Sequence, residues 1–542
     1  MLTKKLLLIV ASIFVVNAFA QKDVSKVWVA DLGNGKYKNP IIYADYSDPD
    51  LCRVGDDYYM TASSFNCIPG LPILHSKDLV NWTIIGYAIS KMPDYASFKP
   101  DGVNHGGSVW APAIRYHKGE FYIYYGDPDL GIFMTKTKDP AGEWEPLVLV
   151  KEGKGLIDSC PLFDDDGQVY LAHGFAGSRA GIKSLLAVTR LTPDGKKAIG
   201  ESKIIYDGHE IDPTVEGPKF YKRNGYYYIF APAGGVATGW QLALRSKDPF
   251  GPYERKVVMA QGKTEINGPH QGGWVDTTTG EDWFIHFQDV GALGRIAHLQ
   301  PMEWKNDWPV IGVDKDGDGC GDPVLTYKKP NVGKTYPIAT PVESDEFNTN
   351  KLGLQWQWHG NNESWWSFTN QQKGVLSLYS VPQPDNYKSL WDLPNLLLQK
   401  IPAPNFTTTM KLSFVPDARF QGERSGLVIM GRDYSLISFT NKGDGYTLSQ
   451  IECKNADKGK EEVVHASADV KDATIYLRVT LKDGSTSTFS YSVDGKKFIP
   501  LGKPFIVREG QWIGAKIGTF CSRPVKGNDG GRVDIDWFRI DK

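Results

Sequence analysis

The amino-acid sequence predicts an all-β protein, in which a five-bladed β-propeller is followed by a β-sandwich. A hairpin pattern recurs five times in the first three hundred residues, and helical periodicity of any length is scarce. A further stretch of about 200 residues consists of short alternating strands separated by polar turns. Short strands that repeat at a period near fifty residues are typical of propeller blades, and alternating strands without that repeat are typical of sandwiches.

The first twenty residues have the pattern of an export signal. Lys4 and Lys5 precede an apolar run over residues 6–16, and Ala18-Phe19-Ala20 provides a small-x-small cleavage pattern. The run is too short to cross a bilayer as a helix. We therefore predict a signal peptide over residues 1–20 and an exported protein, periplasmic or secreted. A buried N-terminal helix is the alternative interpretation.

The composition restricts the class of partner. The net charge is -2 and no long basic run occurs, which argues against a nucleic-acid partner. No second apolar stretch approaches the length of a membrane span. Six Cys in 542 residues are too few for a disulfide-stapled scaffold. Aromatic residues make up 12% of the chain and suit two uses, the filling of β-rich cores and stacking against sugar rings.

The propeller prediction depends on five hairpin units. Each unit is opened by a proline and continues as an apolar strand, a charged turn and an aromatic-rich strand. The five prolines, separated by 63, 49, 57 and 51 residues, are Pro49, Pro112, Pro161, Pro218 and Pro269. We therefore predict a propeller over residues 21–325. An array of sandwich strands with similar turns is the alternative.

The repeat stops in a segment rich in Pro, Lys and Thr, which we predict to be a linker or a surface strand over residues 326–344. A new run of short strands begins with DEFN at residues 345–348 and includes GVLSLYS, TTTMKLSF, SGLVIMG and RVDIDWFRI. The sequence therefore predicts a β-sandwich domain over residues 345–542.

Three of the five units carry a carboxylate close to the opening proline, namely Asp48, Asp158 and Glu216. The other two units have Ala111 and Gly268 before the proline, so the fold itself requires no carboxylate there. Equivalent positions of successive blades converge at one end of the propeller axis. Carboxylates brought together raise one another's pKa, which suits glycoside hydrolysis because one group must donate a proton while another activates water.

The sequence resembles glycoside hydrolase family 43 over the whole predicted propeller. The matching motifs are DPD in the first unit, VWAP, IDSCPLFDDDG, EGPK, GPHQGG and IHFQD. The segments LGRIAHLQPMEW and DWPVIG, together with the C-terminal part, resemble the β-xylosidase-like branch that carries a concanavalin-A-like sandwich. The resemblance implies a five-bladed propeller with a catalytic Asp, Asp and Glu in this order.

The resemblance also implies a role for each carboxylate. Asp48 is expected to be the general base, Glu216 the general acid, and Asp158 the residue that positions Glu216 and raises its pKa. The family inverts configuration, so the base and the acid are expected roughly 6.5 to 9.5 Å apart. No cofactor is required for this chemistry.

Four further residues resemble family positions. Trp110 is expected to form a wall of the sugar subsite, His270 to lie near the sugar, and Arg295 to bind its hydroxyl groups. His286 resembles a histidine on the propeller axis that meets a calcium or sodium ion in several members. The alternatives are core packing for Trp110, a surface position for Arg295, and a core histidine with satisfied hydrogen bonds for His286.

Two further features have less specific interpretations. DKDGDG at residues 314–319 has the acidic spacing of an EF-hand loop, but Leu325 stands where that loop needs Glu, so an acidic turn is favoured. Trp356 and Trp358 are expected to pack in the sandwich core rather than face the substrate.

The expected partner is a plant cell-wall polysaccharide or oligosaccharide. Exo-acting α-L-arabinofuranosidase activity on hemicellulose side chains is slightly favoured, with β-D-xylosidase activity as the alternative. A non-catalytic sugar-binding propeller is a more distant alternative, opposed by the presence of all three carboxylates. A fructan-cleaving enzyme is excluded because its W-x-N-D-P-N and R-D-P motifs are absent.

Overall fold

The computed structural model describes residues 24–92 and 103–542. The predicted signal peptide lies outside these residues. The described residues form a five-bladed propeller and a two-sheet sandwich, which confirms the predicted fold class. No helix in the described parts of the chain is long and apolar enough to cross a membrane.

Each blade is a four-stranded antiparallel sheet, and the first strands of neighbouring blades pack around the axis. Blade one contains Asp50–Val54, Asp57–Thr61, Gly70–Ser76 and Trp82–Ile89. Blade two contains Trp110–His117, Glu120–Asp127, Gly131–Thr137 and Val148–Glu152. Blade three contains Leu156–Phe163, Val169–Phe175, Leu185–Leu191 and Ala198–Asp207. Blade four contains Lys219–Arg223, Tyr226–Ala233, Trp240–Ser246 and Glu254–Met259. Blade five contains His270–Asp276, Asp282–Asp289, Arg295–Lys305 and Ile42–Asp45, and Trp308–Ile311 pairs with its third strand.

Blade five is completed by a strand from the N-terminal part of the chain. Ile42–Asp45 pairs with Arg295–Lys305, so the two ends of the propeller sequence share one sheet and the ring is closed. The strand ends three residues before Asp48. Ring closure therefore brings Asp48 next to Arg295.

The sandwich packs one of its two sheets against the propeller. This propeller-facing sheet contains Gln357–Trp358, Leu397–Lys400, Lys516–Arg523, Arg424–Met430, Tyr434–Asn441, Tyr446–Cys453, Val463–Val470 and Val381–Pro382. The outer sheet contains Ser367–Asn370, Val375–Tyr379, Arg532–Asp541, Phe406–Val415, Thr474–Lys482, Thr486–Ser492, Ile499–Pro500 and Phe505–Ile506. Trp356 and Trp358 are buried in the core of this domain, as predicted.

The segment between the domains begins with a short strand. Thr326–Lys328 pairs with Lys36–Lys38, and Asp345 then forms a bridge with Phe538 of the sandwich. Close by, the Ser25 hydroxyl donates a hydrogen bond to Glu343. The N-terminal segment around Ser25, which precedes the closing strand of blade five, therefore lies beside the interdomain segment. The short helical elements are Gly177–Ala180, Gly291–Leu293, Leu390–Asp392 and Ala456–Lys458.

Candidate active site

A left-handed residue stands where the chain enters the innermost strand of every blade. The five residues, with their φ angles, are Asp48 (54°), Ala111 (31°), Asp158 (58°), Gly217 (58°) and Gln271 (31°). Four of them are not glycine, and such residues rarely adopt positive φ outside constrained or functional positions. Glu216 therefore lies one residue before its blade's equivalent position, and Gly268 three residues before it. The opening proline does not stand at the same position relative to this residue in every blade, because irregular strand pairing near these residues changes the number of residues between them.

Asp48 is held by three donors from three parts of the propeller. The hydroxyl groups of Ser47 and Ser63 donate to its Oδ2 at 2.8 and 2.6 Å, and Arg295 Nη1 lies 3.1 Å from its Oδ1. The Ser63 hydroxyl also accepts from the backbone N–H of Ala111 at 2.7 Å. Asp48 is only 3% exposed. Three donors directed at one carboxylate fix its orientation, which a general base needs in order to meet its proton.

Asp158 lies at the equivalent position two blades further on. Its Oδ2 accepts from the backbone N–H of Gly217 at 2.8 Å and from Gln271 Nε2 at 3.4 Å. Burial raises the pKa of Asp158 well above its ordinary value, and the negative charges of Glu216 and Asp48 raise it further. The carboxyl group therefore retains a proton to higher pH than an isolated aspartic acid, while its bond to Gly217 fixes the backbone beside Glu216.

Glu216 is the most accessible of the three carboxylates. Its side chain is 25% exposed, and its Oε1 lies 2.9 Å from Nε2 of His270. His270 is fully buried, and its Nδ1 has no hydrogen-bond partner in the part of the chain that the structure describes. The structure therefore places His270 directly against Glu216 and leaves part of the Glu216 carboxyl free to reach a ligand.

Arg295 is fixed by both its backbone and its side chain. The backbone N–H donates to Asp45 at 2.8 Å, and Nη1 donates to Ser47 at 2.8 Å. The guanidinium lies 4.8 Å from the Phe287 ring centroid, and Nε is 3.8 Å from Asp289. The side chain is only 13% exposed, so Arg295 is a buried site residue rather than a solvated surface arginine.

Trp110 lies beside the active site and contacts the sandwich domain. Its indole N–H donates to the Gly106 carbonyl at 2.8 Å, and its ring lies edge-on to Phe65 and Trp512. Trp512 belongs to the sandwich and is 46% exposed. Together with Arg432 of the sandwich it lines a cleft that also contains Arg295. Sequence reasoning missed these sandwich residues because no local motif marks them and they lie far along the chain from the propeller motifs.

His286 lies on the second strand of blade five and is fully buried. Its Nδ1 is 3.0 Å from the Phe287 carbonyl, and its Nε2 is 3.0 Å from Gln300 Nε2. Burial lowers the pKa of His286 to about 4, so the ring is neutral, with Nδ1 donating and Nε2 accepting. Both ring nitrogens thus have protein partners, and the residues around His286 do not fit the predicted contact with a metal ion.

The DKDGDG segment forms a turn. The Asp314 carboxylate accepts from the backbone N–H groups of Gly317 and Gly319 at 2.7 and 3.1 Å. Asp314, Asp316 and Asp318 have carboxylate oxygens within 4.8 Å of one another, and they form the one such acidic cluster in the described residues. The bonds to backbone N–H groups agree with the predicted acidic turn.

Comparisons with known proteins identify a family for each of the two domains. Residues 37–309 match the family described as glycosyl hydrolases family 43, and residues 344–541 match the beta-xylosidase C-terminal concanavalin A-like domain. A protein of Xylanibacter ruminicola is 38% identical over 92% of this chain and 88% of its own length.

Two further relatives have names that state an activity. The beta-xylosidase of Formosa agariphila is 31% identical over 97% of this chain and 94% of its own length. The non-reducing end alpha-L-arabinofuranosidase BoGH43B of Bacteroides ovatus is 30% identical over 94% of this chain and 96% of its own.

A solved structure has the same two-domain architecture. The GH43 protein BlXynB of Bacillus licheniformis is 25% identical, with a TM-score of 0.78 over 93% of this chain and 99% of that one. Both sequence segments and the full-length relatives lead to the same assignment. The chain belongs to glycosyl hydrolase family 43 and is a glycosidase.

Proposed function

We propose that this glycosidase removes single terminal pentose residues from hemicellulose chains by direct displacement with inversion. The observation that carries the proposal is the difference between the surroundings of the three carboxylates. Asp48 is buried among donors, Asp158 is buried and resists ionisation, and Glu216 is partly exposed. Such a division of surroundings lets one site hold a base and an acid at the same pH.

Asp48 is the proposed base. It removes a proton from a water molecule as that water attacks the anomeric carbon, and the Ser47, Ser63 and Arg295 contacts stabilise its charge before the reaction. Glu216 gives its proton to the glycosidic oxygen as the bond to the leaving sugar breaks. Asp158 positions Glu216 through Gly217 and takes no direct part in bond making. The proposed chemistry uses no cofactor.

The sandwich supports exo action, because it supplies part of the site's mouth. Trp512 reaches Trp110 of blade two, and Arg432 lines the same cleft as Arg295. A cleft closed on one side by a second domain favours binding of a chain end over binding of the middle of a polysaccharide. We propose that this wall holds the sugar that leaves.

The terminal sugar is proposed to be β-D-xylose first and α-L-arabinofuranose second. The name of the Formosa relative supports the xyloside, and the name of the Bacteroides relative, at almost the same identity, supports the arabinofuranoside. The xyloside is placed first because beta-xylosidase names are the more frequent among these relatives, whereas the sequence alone slightly favoured the arabinofuranoside. The signal-like first twenty residues support an exported enzyme that meets its polysaccharide outside the cytoplasm.

The test compares wild type, Asp48→Ala and Glu216→Ala on xylobiose, nitrophenyl β-D-xyloside and nitrophenyl α-L-arabinofuranoside. A nitrophenolate leaves with little help from an acid. Glu216→Ala should therefore lose about 10²- to 10⁴-fold on xylobiose and much less on the nitrophenyl xyloside. Asp48→Ala should lose similar amounts on both xylosides, because every substrate needs the base.

Glu303→Ala is the matched control, since that glutamate is 59% exposed and lies on an outer strand. It should keep wild-type rates. Equal losses for Glu216→Ala on xylobiose and nitrophenyl xyloside would contradict the acid assignment. Wild type that binds pentose oligomers and cleaves none of the three substrates would sink the proposed function altogether.

A further inference from the structure

A small cavity lies away from the active site, where the N-terminal segment, the closing strand of blade five and the sandwich meet. Its walls are largely apolar and include five aromatic residues, Trp28, Tyr43, Tyr46, Trp82 and Tyr87. The volume is about 60 Å³. Because a single water molecule needs at least about 10–15 Å³, a cavity of this size suits only a small ligand.

The cavity is also lined by Lys400, a cation for which the mechanism has no use. Its Nζ lies 4.9 Å from the centroid of the Tyr46 ring, and no carboxylate of the described residues lies within ion-pair distance of it. Lys516 is buried nearby and donates to Gln357 at 3.2 Å. Burial, together with the charge of Lys516, lowers the pKa of Lys400 to about 8.

The nearby carboxylates are engaged elsewhere. Asp45 acts on Lys400 through its charge, but its Oδ1 accepts the backbone N–H of Arg295. Glu343 lines the cavity, and its two oxygens accept from the Ser25 hydroxyl at 2.9 Å each. Lys516, which is buried, and Lys400, which is partly buried, therefore share an interface without a dedicated counter-charge, which is the electrostatic condition for binding an anion.

Two amide groups of the lining have unused hydrogen-bonding atoms. Gln399 is 2% exposed and Gln355 is 7% exposed; within the described residues, Nε2 of Gln399 and Oε1 of Gln355 have no hydrogen-bond partner. A buried donor or acceptor left unpaired destabilises the folded protein. A ligand that carries one hydrogen-bond acceptor and one donor satisfies both of these atoms.

We propose that this cavity binds a small monocarboxylate of two to four carbon atoms. The carboxylate accepts from Lys400 and Gln399, and the carbon atoms contact the aromatic walls. A hydroxyl group next to the carboxylate donates to Gln355, so hydroxy acids bind more tightly than plain fatty acids. The aromatic residues of the lining favour an organic anion over chloride, and the small volume favours a ligand of few non-hydrogen atoms.

The proposal is tested by thermal unfolding of the full chain in sodium acetate, propionate or glycolate. Sodium chloride at equal ionic strength and neutral acetamide are the controls. We expect a saturating rise in Tm, on the order of 2 °C, with the carboxylates alone and the largest rise with glycolate. Lys400→Met should abolish the rise, while Lys373→Met, which alters an exposed lysine, should keep it.

An equal rise with chloride or acetamide, an undiminished rise in Lys400→Met, or no rise at all would each overturn the proposal. A crystal soaked in 3-bromopropionate provides a second measurement that needs no variant. Anomalous scattering should place bromine in the cavity beside Lys400. Water alone at that position would refute the site, whatever the outcome of the glycosidase assays.

Discussion

Replacing Lys400 by methionine is expected to stabilise the protein. The two side chains have similar length, and methionine suits the aromatic surroundings of Lys400. A pKa lowered from 10.5 to about 8 on folding means that the folded state disfavours the charged lysine. The difference corresponds to about 3 kcal/mol. The variant should therefore gain about 3 kcal/mol in the free energy of unfolding at pH 7, in a buffer without carboxylates.

The pH dependence of this gain fixes its cause. Below pH 8 the lysine is protonated in both the folded and the unfolded state, so wild type carries the whole cost. Between pH 8 and 10.5 the folded protein loses the proton first, and the cost shrinks by about 1.4 kcal/mol per pH unit. Urea unfolding at pH 7 and pH 10, with Lys373→Met as the control, measures the change. A gain that is equal at the two pH values would refute the electrostatic argument.

Three other substitutions have defined outcomes. Ser63→Ala removes the 2.6 Å bond to Asp48 and should lower kcat/KM for nitrophenyl xyloside about 10- to 100-fold, with an unchanged Tm arguing against misfolding as the cause. Trp512→Ala opens the mouth of the cleft and should raise KM for xylobiose more than for nitrophenyl xyloside; an equal change in both would place its ring away from the leaving sugar. Arg115→Met removes the ion-pair partner of the buried Asp50 carboxylate, which lies 2.6 Å from Arg115 Nη1. The free energy of unfolding, measured in urea, should fall by about 3–5 kcal/mol. A loss below 1 kcal/mol would mean that Asp50 is neutral or hydrated there.

The parts of the site that repeat with the blades could be predicted from sequence. Asp48, Asp158 and Glu216 converge because each stands near the start of an innermost strand, and the hairpin repeat marks those starts. The exact register could not be predicted from the prolines, because pairing irregularities change the position of the left-handed residue relative to the opening proline. Such irregularities depend on neighbouring strands and leave no signature that a single sequence shows.

The contacts between domains were beyond sequence reasoning. Trp512 and Lys400 gain their importance from the packing of the sandwich against the propeller, and neither residue stands in a motif. His286 fell in a recognisable motif, yet its environment of a carbonyl and an amide gives it a hydrogen-bonding role. A motif fixes the position of a residue in a strand, whereas its partners come from other strands.

The closing strand of blade five makes the order of synthesis matter for activity. Asp45 and Arg295 are separated by 250 residues and must meet before the proposed sugar site is complete. Joining chain ends that far apart costs roughly 5 kcal/mol in entropy. A nascent chain that has not yet reached Arg295 cannot hydrolyse anything, however well its first blades have folded. Activity therefore reports completion of the ring, and a glycosidase assay can time this folding step during refolding or translation.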